Sequence, residues 1–327
     1  ADLNIRGGSE YAKYYISAGY YSETGMFKSG AVESYNNRLS LDRFTFLTNV
    51  DVNLTKSPNI ELGINGFIIN SNYPGVGTGT LINMATQSPP HIAPPQYSNG
   101  QFPRVPGGYN NPYERLTQSG YATEYRNTIR SNIRLKQDLN SITQGLKFTT
   151  MFSFDAYNWN NLNRTRNVQT YYATGRDEEG NLITELVDQG SDVLGFAQSR
   201  GGNRKFYTES ALNYNRTFGE NHDVSGMLLY YQSDYINADA GDLVSSIPFR
   251  LRGFSGRGTY GFMSKYFFEA NFGYSGSENF SPDNRYGFFP SFGTGWVISN
   301  ESFFEPMKDV ISLLKLRYTF GLTGNSN

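Results

Sequence analysis

The chain has 327 residues, with 28 basic and 29 acidic side chains and no cysteine. The balanced, scattered charge gives no support for nucleic-acid binding, and the absence of cysteine excludes disulfide frameworks, thiolate catalysis and the usual zinc sites. Charged residues make up 17%, against about 25% in soluble domains, whereas aromatic residues reach 16%. A mean hydropathy of −0.52, with no run of about 18 apolar residues, excludes membrane-spanning helices but leaves membrane-spanning strands open.

Polar and apolar residues alternate with period two over stretches that match the roughly 9 to 11 residues of a membrane-crossing strand. Phe44, Phe46 and Val50 share one face of such a stretch, while Arg43 and Thr45 lie on the other. One face could contact hydrocarbon and the other water, which is typical of a transmembrane β-barrel wall.

The alternation predicts about twelve membrane-length strands. In chain order they cover 2–9, 13–23, 43–56, 60–71, 124–139, 144–159, 205–218, 222–236, 250–262, 266–275, 287–298 and 313–321. The joints between them alternate short and long without a break, which predicts tight periplasmic turns and long extracellular loops. The predicted loops are 24–42, 72–123, 160–204 (with its own small hairpin around 177–181), 237–249 and 276–286.

The sequence therefore predicts an all-β fold, a transmembrane antiparallel β-barrel. An open sheet edge within hydrocarbon would leave unpaired backbone groups that cost several kcal/mol each, so the wall must close. The chain starts in a strand pattern and stops just after one, so we expect residues 1–327 to be the central part of a larger barrel.

The stretch from Ser277 to Trp296, SENFSPDNRYGFFPSFGTGW, resembles the late barrel of SusC-like TonB-dependent transporters of the Bacteroidetes outer membrane. The continuation from Ile298 to Glu301, and that from Leu314 to Asn325, is similar to the same family. Val297 stands where the family often carries a basic residue, and we expect this departure to change little.

The resemblance implies a barrel of about 22 strands with a plugged lumen, so that the plug domain and the closing strands would be absent from this chain. It also implies contact with TonB through segments outside this chain, and a SusD-like lipoprotein lid over the extracellular mouth. A dimer of transporter–lipoprotein pairs is one assembly that it allows. The expected function is active import of a nutrient, an oligosaccharide first and otherwise a peptide, across the bacterial outer membrane. A passive porin or a surface-binding barrel is the alternative, and a soluble β-rich protein would need strands of about 5 or 6 residues.

No catalytic constellation is predicted, so the chain is not expected to be an enzyme or to hold a metal or a cofactor. His91 and His222 are the only histidines and are expected at unrelated places, in a Pro-rich loop and beside a tight turn. The glycines of 75–79 lack the strand–turn–helix context of a nucleotide-binding loop.

Two sets of residues are candidates for solute binding. Aromatic side chains of the longest loop could lie against sugar rings, or could equally pack the loop against itself or its lid. These residues are Tyr97, Phe102, Tyr109 and Tyr113. A basic row on one strand could guide an anionic or polyhydroxylated solute or pair with acidic residues of a plug, or could simply be the wet face of the wall. This row consists of Arg126, Arg130, Arg134 and Lys136.

Overall fold

The structure, a computed structural model, describes residues 1–27, 35–55 and 57–324. Residues 28–34 of the predicted 24–42 loop, Lys56 of the predicted strand 43–56, and Asn325 lie outside the described residues. The strands are β1 (Asp2–Gly8), β2 (Ala12–Thr24), β3 (Ser40–Asn53), β4 (Asn59–Pro74), β5 (Phe102–Pro103), β6 (Gly120–Asp138), β7 (Leu146–Thr165), β8 (Thr170–Arg176), β9 (Leu182–Asp188), β10 (Gly195–Phe218), β11 (His222–Asn237), β12 (Phe249–Phe262), β13 (Tyr266–Ser277), β14 (Tyr286–Val297) and β15 (Lys315–Gly321). The α-helices are α1 (Thr78–Gln87), α2 (Pro112–Gln118) and α3 (Leu243–Ser246), and 3₁₀ turns cover Pro106–Gly108, Pro282–Asn284, Ile298–Asn300 and Ser302–Met307.

Twelve of these strands form one large sheet in which neighbours in the chain are neighbours in space. The order is β1-β2-β3-β4-β6-β7-β10-β11-β12-β13-β14-β15, and every pair is antiparallel. The predicted all-β, antiparallel fold with twelve strands is confirmed, although the two edge strands, β1 and β15, have only seven residues each. The remaining strands, β5, β8 and β9, form a separate small sheet in which β8 and β9 are the hairpin predicted around 177–181.

The large sheet has one apolar face and one polar face. Phe44 pairs with Tyr20 and Ile68, and the rings of Tyr20 and Phe44 lie 5.0 Å apart. Phe44 is 45% exposed, because no second layer of the described residues covers the apolar face. Further exposed residues of this face are Ile5, Ile16, Leu62, Ile133, Phe152, Phe206, Leu228, Phe254, Phe268, Phe292 and Phe320. An exposed apolar surface continued over all twelve strands is the lipid-facing surface of a membrane barrel.

The height of the apolar face fits a bilayer. On β3 it runs from Phe44 to Val52, roughly 26 Å along the strand at about 3.3 Å per residue. At the tilt of about 35–45° found in such barrels this gives a height of roughly 20 Å, slightly less than the apolar band of about 25 Å seen in outer-membrane barrels. Aromatic pairs lie at both ends: Tyr274 stacks on Tyr286 at 5.2 Å, and Tyr266 on Trp296 at 6.5 Å. Among the described residues, no helix is long and apolar enough to cross a membrane.

Three central strands continue beyond the apolar band. β6, β7 and β10 have 19, 20 and 24 residues, several more than the alternation predicted. In the extension the apolar face becomes polar, and Gln198 donates a hydrogen bond to Asn160 at 3.0 Å. The hydrophobic signal therefore ends before the backbone pairing does.

The connections define two ends of the sheet, which we call the loop end and the turn end. Long connections at the loop end are 25–39, 75–119, 166–194, 238–248 and 278–285, and short ones at the turn end are 9–11, 54–58, 139–145, 219–221 and 263–265. The sixth connection at the turn end, 298–314, is long and contains two 3₁₀ turns. The predicted unbroken alternation of joint lengths is therefore wrong at this one joint, because the segment folds on itself instead of reversing tightly.

Candidate functional site

The long connections 75–119 and 166–194 form a folded layer beyond the loop end of the sheet, which we call the loop layer. Its helix α2 begins where the sequence Asn111-Pro112 provides a cap: the Asn111 side chain accepts hydrogen bonds from the backbone N–H groups of Tyr113 (3.1 Å) and Glu114 (3.2 Å). Asparagine at the N-cap, proline at the first helical position and an acidic residue in the first turn all favour a helix start. Helices α1 and α2 are in contact, and Leu81 of α1 is buried.

The small sheet joins the two connections of the loop layer. The backbone N–H of Arg104, just after β5, donates to the carbonyl of Tyr171 on β8 at 2.9 Å. The Arg104 guanidinium also lies 2.7 Å from the Asp188 carboxylate at the end of β9. A hydrogen bond from Thr170, and then Arg104, holds the pKa of Asp188 below its ordinary value. Residues some 80 positions apart are thus fixed beside one another.

A cavity of about 530 Å³ lies between these elements, and we call it the loop pocket. Its charged and aromatic lining residues are Arg104, Tyr109, Glu114, Arg115 and Asp188, with Asn110, Asn111, Asn167 and Thr170 among the polar ones. Two guanidinium groups, two carboxylates and several amides converge there. Such a lining suits a polar ligand with many hydrogen-bond donors and acceptors.

The charges of the loop pocket are incompletely paired. Glu114 is 4% exposed, and burial raises its pKa, while its carboxylate lies 3.6 Å from the Nε of Arg115. Arg115 donates to the amide oxygen of Asn167 at 3.0 Å, but its buried Nε has no hydrogen-bond partner among the described residues. A buried donor without a partner costs free energy, so this arrangement is the kind that a bound polar group would complete.

The predicted aromatic residues divide between the pocket and the interior of the loop layer. Tyr109 lines the loop pocket and is 41% exposed. Phe102 is buried, with its ring 6.5 Å from that of the partly exposed Tyr113. The hydroxyl of Tyr97 donates to the carbonyl of Tyr171 at 3.4 Å. A role for these four residues in binding stays a prediction, and Tyr109 is the best placed of them.

The predicted basic row lies on the polar face of β6 and outside the loop pocket. Arg126 pairs with Glu124 at 2.6 Å, and Arg134 lies 3.5 Å from Glu61, which Lys136 also contacts. Arg130 is exposed and stands opposite Asn65 and Asp155, and its side chain forms no ion pair or hydrogen bond within the described part of the chain.

A second polar cavity, of about 750 Å³, lies on the polar face near the turn end and was not predicted. Arg257 on β12 pairs there with Glu269 on β13 at 3.1 Å, and Lys315 and Arg317 both stand on β15. These charges come from three different strands and meet only through sheet register. A single row on one strand is visible in a sequence, whereas a cluster formed by several strands is not.

The two histidines lie at opposite ends of the wall. His222 begins β11 at the turn end, where its Nδ1 is 2.8 Å from the Tyr260 hydroxyl, and His91 lies in a turn of the loop layer. In residues 1–27, 35–55 and 57–324, no group of three or more His, Asp or Glu side chains is placed to hold a metal ion.

Comparison with known proteins indicates which class of protein the chain resembles. No family model matches the chain. Over 99% of its length the chain is 26% identical to TonB-dependent receptor P3 of Formosa agariphila, covering 32% of that protein. It is 25% identical, again over 99%, to TonB-dependent receptor SusC of Bacteroides thetaiotaomicron, covering 33% of it. The chain thus spans about a third of the length of these relatives.

Solved structures agree on the fold. The RagAB peptide transporter superposes with a TM-score of 0.62 at 18% identity, covering 99% of this chain and 36% of that one. The two-faced sheet therefore defines the fold as that of a transmembrane antiparallel β-barrel. Within that class, the resemblance to SusC-like TonB-dependent transporters is confirmed, since named TonB-dependent receptors, SusC among them, align with nearly the whole chain.

Proposed function

We propose that this chain is the central barrel wall of a TonB-dependent importer in a bacterial outer membrane, and that the importer moves a nutrient inward unaltered. The loop end is the extracellular side, and the turn end faces the periplasm. A plug domain, the closing strands and the TonB-contacting segment belong to other parts of the whole protein. A SusD-like lipoprotein covers the loop layer. Long loops on the outside and short turns on the inside are the usual arrangement of such barrels.

The loop pocket is the observation that carries this proposal. It places the Arg104–Asp188 pair, Glu114 and Arg115 around one polar cavity at the mouth of a wall that otherwise only separates lipid from water. An oligosaccharide suits this lining, because each hydroxyl both donates and accepts hydrogen bonds and the sugar ring can lie against Tyr109.

A peptide is the second candidate solute. The structurally similar RagAB complex is named a peptide transporter. A peptide would place its amide groups on the same donors and acceptors, and its termini on the carboxylates and guanidinium groups. The two candidates predict different ligands for one pocket and can be separated by direct binding.

The test is made on the whole transporter with its lipoprotein, in wild-type form and as Arg115→Gln. Binding and uptake of labelled oligosaccharides and of labelled peptides are measured side by side. We expect the affinity for the true solute to fall by about tenfold, the effect of losing one charge-assisted hydrogen bond. Arg176→Gln, at the exposed β8–β9 turn, is the matched control and should bind normally. Equal binding by both variants would remove the loop pocket from the proposal.

Energised import is tested separately. Depletion of TonB should abolish uptake while leaving surface binding intact, and the solute recovered inside should have its original mass. Uptake that continues without TonB would instead identify a passive porin. Binding without any uptake would identify a surface-binding barrel.

A further inference from the structure

The connection between β14 and β15 is much longer than the other connections at the turn end. Residues 298–314, which we call the foot segment, stand at the turn end, where the adjacent connection 263–265 reverses the chain in three residues. The foot segment instead forms two 3₁₀ turns, Ile298–Asn300 and Ser302–Met307. Joining β14 to β15 does not require this extra chain, so its position and its surface need another explanation.

Glu301 fixes the foot segment to the apolar side of the wall. Its carboxylate accepts hydrogen bonds from Lys265 Nζ (2.8 Å), the Tyr266 hydroxyl (2.7 Å) and Trp296 Nε1 (3.1 Å). Tyr266 and Trp296 are register partners on the apolar face, at the edge of the apolar band. These three donors, Lys265 first, lower the pKa of Glu301 to about 2, so the carboxylate is charged at neutral pH.

The foot segment carries apolar side chains that nothing in the described chain covers. Phe304 is buried and holds the segment in place, whereas Phe303, Met307 and Val310 are 65%, 49% and 88% exposed. The polar residues between them include Glu305 and Lys308, which pair at 2.7 Å. The segment therefore combines exposed apolar side chains with charged ones, and Glu301 joins it to the rim where Tyr and Trp mark the membrane interface.

We propose that the foot segment is an interfacial anchor, with Phe303, Met307 and Val310 inserted between the lipid headgroups of the periplasmic leaflet. The lipid surface is the occupant because Glu301 joins the segment to the aromatic belt, so its apolar surface continues the face that already contacts lipid. Short amphipathic segments bind bilayers in this way, with the apolar side at the acyl boundary and the charges in the headgroup layer. The inference rests on the membrane orientation given under the proposed function.

The test uses the whole transporter reconstituted in phosphatidylglycerol–phosphatidylcholine vesicles, with single cysteines that carry a fluorescent label. The labelled variants are Phe303→Cys and Val310→Cys, with Ser264→Cys at a short turn of the same end as the matched control. Fluorescence is compared in ordinary lipids and in lipids brominated near the headgroup. We expect at least a twofold loss of fluorescence at 303 and 310, and little loss at 264.

Phe152→Cys, on the apolar face of β7, separates this inference from the proposed function. Quenching by brominated lipid at 152 but not at 303 and 310 would overturn the anchor alone. This holds if iodide, a quencher dissolved in the water, reaches the labels at 303 and 310, and equally if another part of the protein shields them. An absence of lipid quenching at 152 would overturn the membrane orientation itself.

Discussion

Glu114 shows what a buried carboxylate in the loop pocket does at the scale of a single residue. Burial raises its pKa, the negative charge of Asp188 adds to this, and Arg115 opposes it only in part. A raised carboxyl pKa means that the folded loop layer favours the neutral acid. The stabilisation that the neutral Glu114 side chain gives the folded loop layer is fully present below the ordinary pKa of about 4.5. It is lost as the pH rises through the raised pKa of the folded state.

Glu114→Gln should therefore make the loop layer more stable at neutral pH, because the amide keeps the shape without the charge. The gain should reach about 1 to 3 kcal/mol, the typical cost of a poorly paired buried polar group. Hydrogen exchange of the α2 region, corrected for intrinsic rates, should depend on pH in the wild type and not in this variant. Glu178→Gln, at the exposed β8–β9 turn, should leave the pH dependence intact. A wild type whose α2 protection is flat with pH would contradict this account of Glu114.

Arg130 allows the basic row to be tested without breaking a contact within the wall. Arg126 and Arg134 each pair with a carboxylate, but no partner of the Arg130 side chain is found in the described residues. Arg130→Gln should lower uptake of an anionic or hydroxylated solute by about three- to tenfold, since one charge-assisted hydrogen bond is lost. The folded amount of the Arg130→Gln transporter should stay unchanged. Arg134→Gln is less suitable for this test, because it also leaves Glu61 with one ion-pair partner fewer. A folding defect with normal uptake by the surviving Arg130→Gln protein would show that the row is only part of the wet face.

The sequence identifies residue types at the candidate site better than it identifies their places. The aromatic content of the longest loop is visible, but burial of Phe102 depends on how β5 packs between α2 and β8. The Arg104–Asp188 pair joins positions 84 residues apart, and no local sequence pattern indicates that these two residues meet. Sequence alone can thus nominate Tyr109 but cannot find the pocket it lines.

At the scale of elements, period-two alternation predicts strands well as long as the two faces see different solvents. The boundaries of β11 to β13 agree with prediction to within two residues, because lipid and water flank these strands along their whole length. The ends of β6, β7 and β10 were missed where both faces become polar, although backbone pairing such as Gly195 with Thr165 continues. The foot segment was missed because an amphipathic 3₁₀ segment has no period of its own at this length.

The loop layer is an element that can be removed without opening the wall. The N–H of Gly75 donates to the carbonyl of Gly120 at 2.9 Å, so the two ends of the 75–119 connection already meet across β4 and β6. Replacing residues 76–118 by a short Gly-Ser turn should leave a folded barrel, measured as the heat-modifiable band on a gel. Solute capture or lipoprotein docking should be lost, because α2 and half of the loop pocket are gone.

Shortening the 238–248 connection is the comparison for this deletion, since none of its residues lines the loop pocket. Its effect on solute binding should be small. Unchanged uptake together with unchanged lipoprotein binding in the 76–118 deletion would defeat the assignment of the loop layer to capture.

At the scale of the whole molecule, one regularity connects the observations: side chains on the apolar face of the twelve strands meet lipid, and those on the polar face meet water. This regularity could be predicted from the sequence almost completely. Lipid on one face and water on the other impose the same period on every strand, and the hydrocarbon thickness of about 30 Å sets their length. It is also the claim that a single pair of substitutions can test most directly. The pair lies on consecutive positions of β6, so that strand, depth and local sequence are shared.

Ile133→Arg and Asn132→Arg should differ sharply. Ile133 is on the apolar face, 47% exposed and paired with Leu62 and Phe152, whereas Asn132 points to the polar face. Arginine on the lipid side near the bilayer midplane costs about 2 to 4 kcal/mol, but on the polar side it joins a surface that already carries Arg130 and Arg134. Folding into lipid vesicles of the whole transporter, followed through a urea titration, should show this loss for Ile133→Arg only. Equal losses, or a larger loss for Asn132→Arg, would mean that the two faces have been assigned to the wrong solvents.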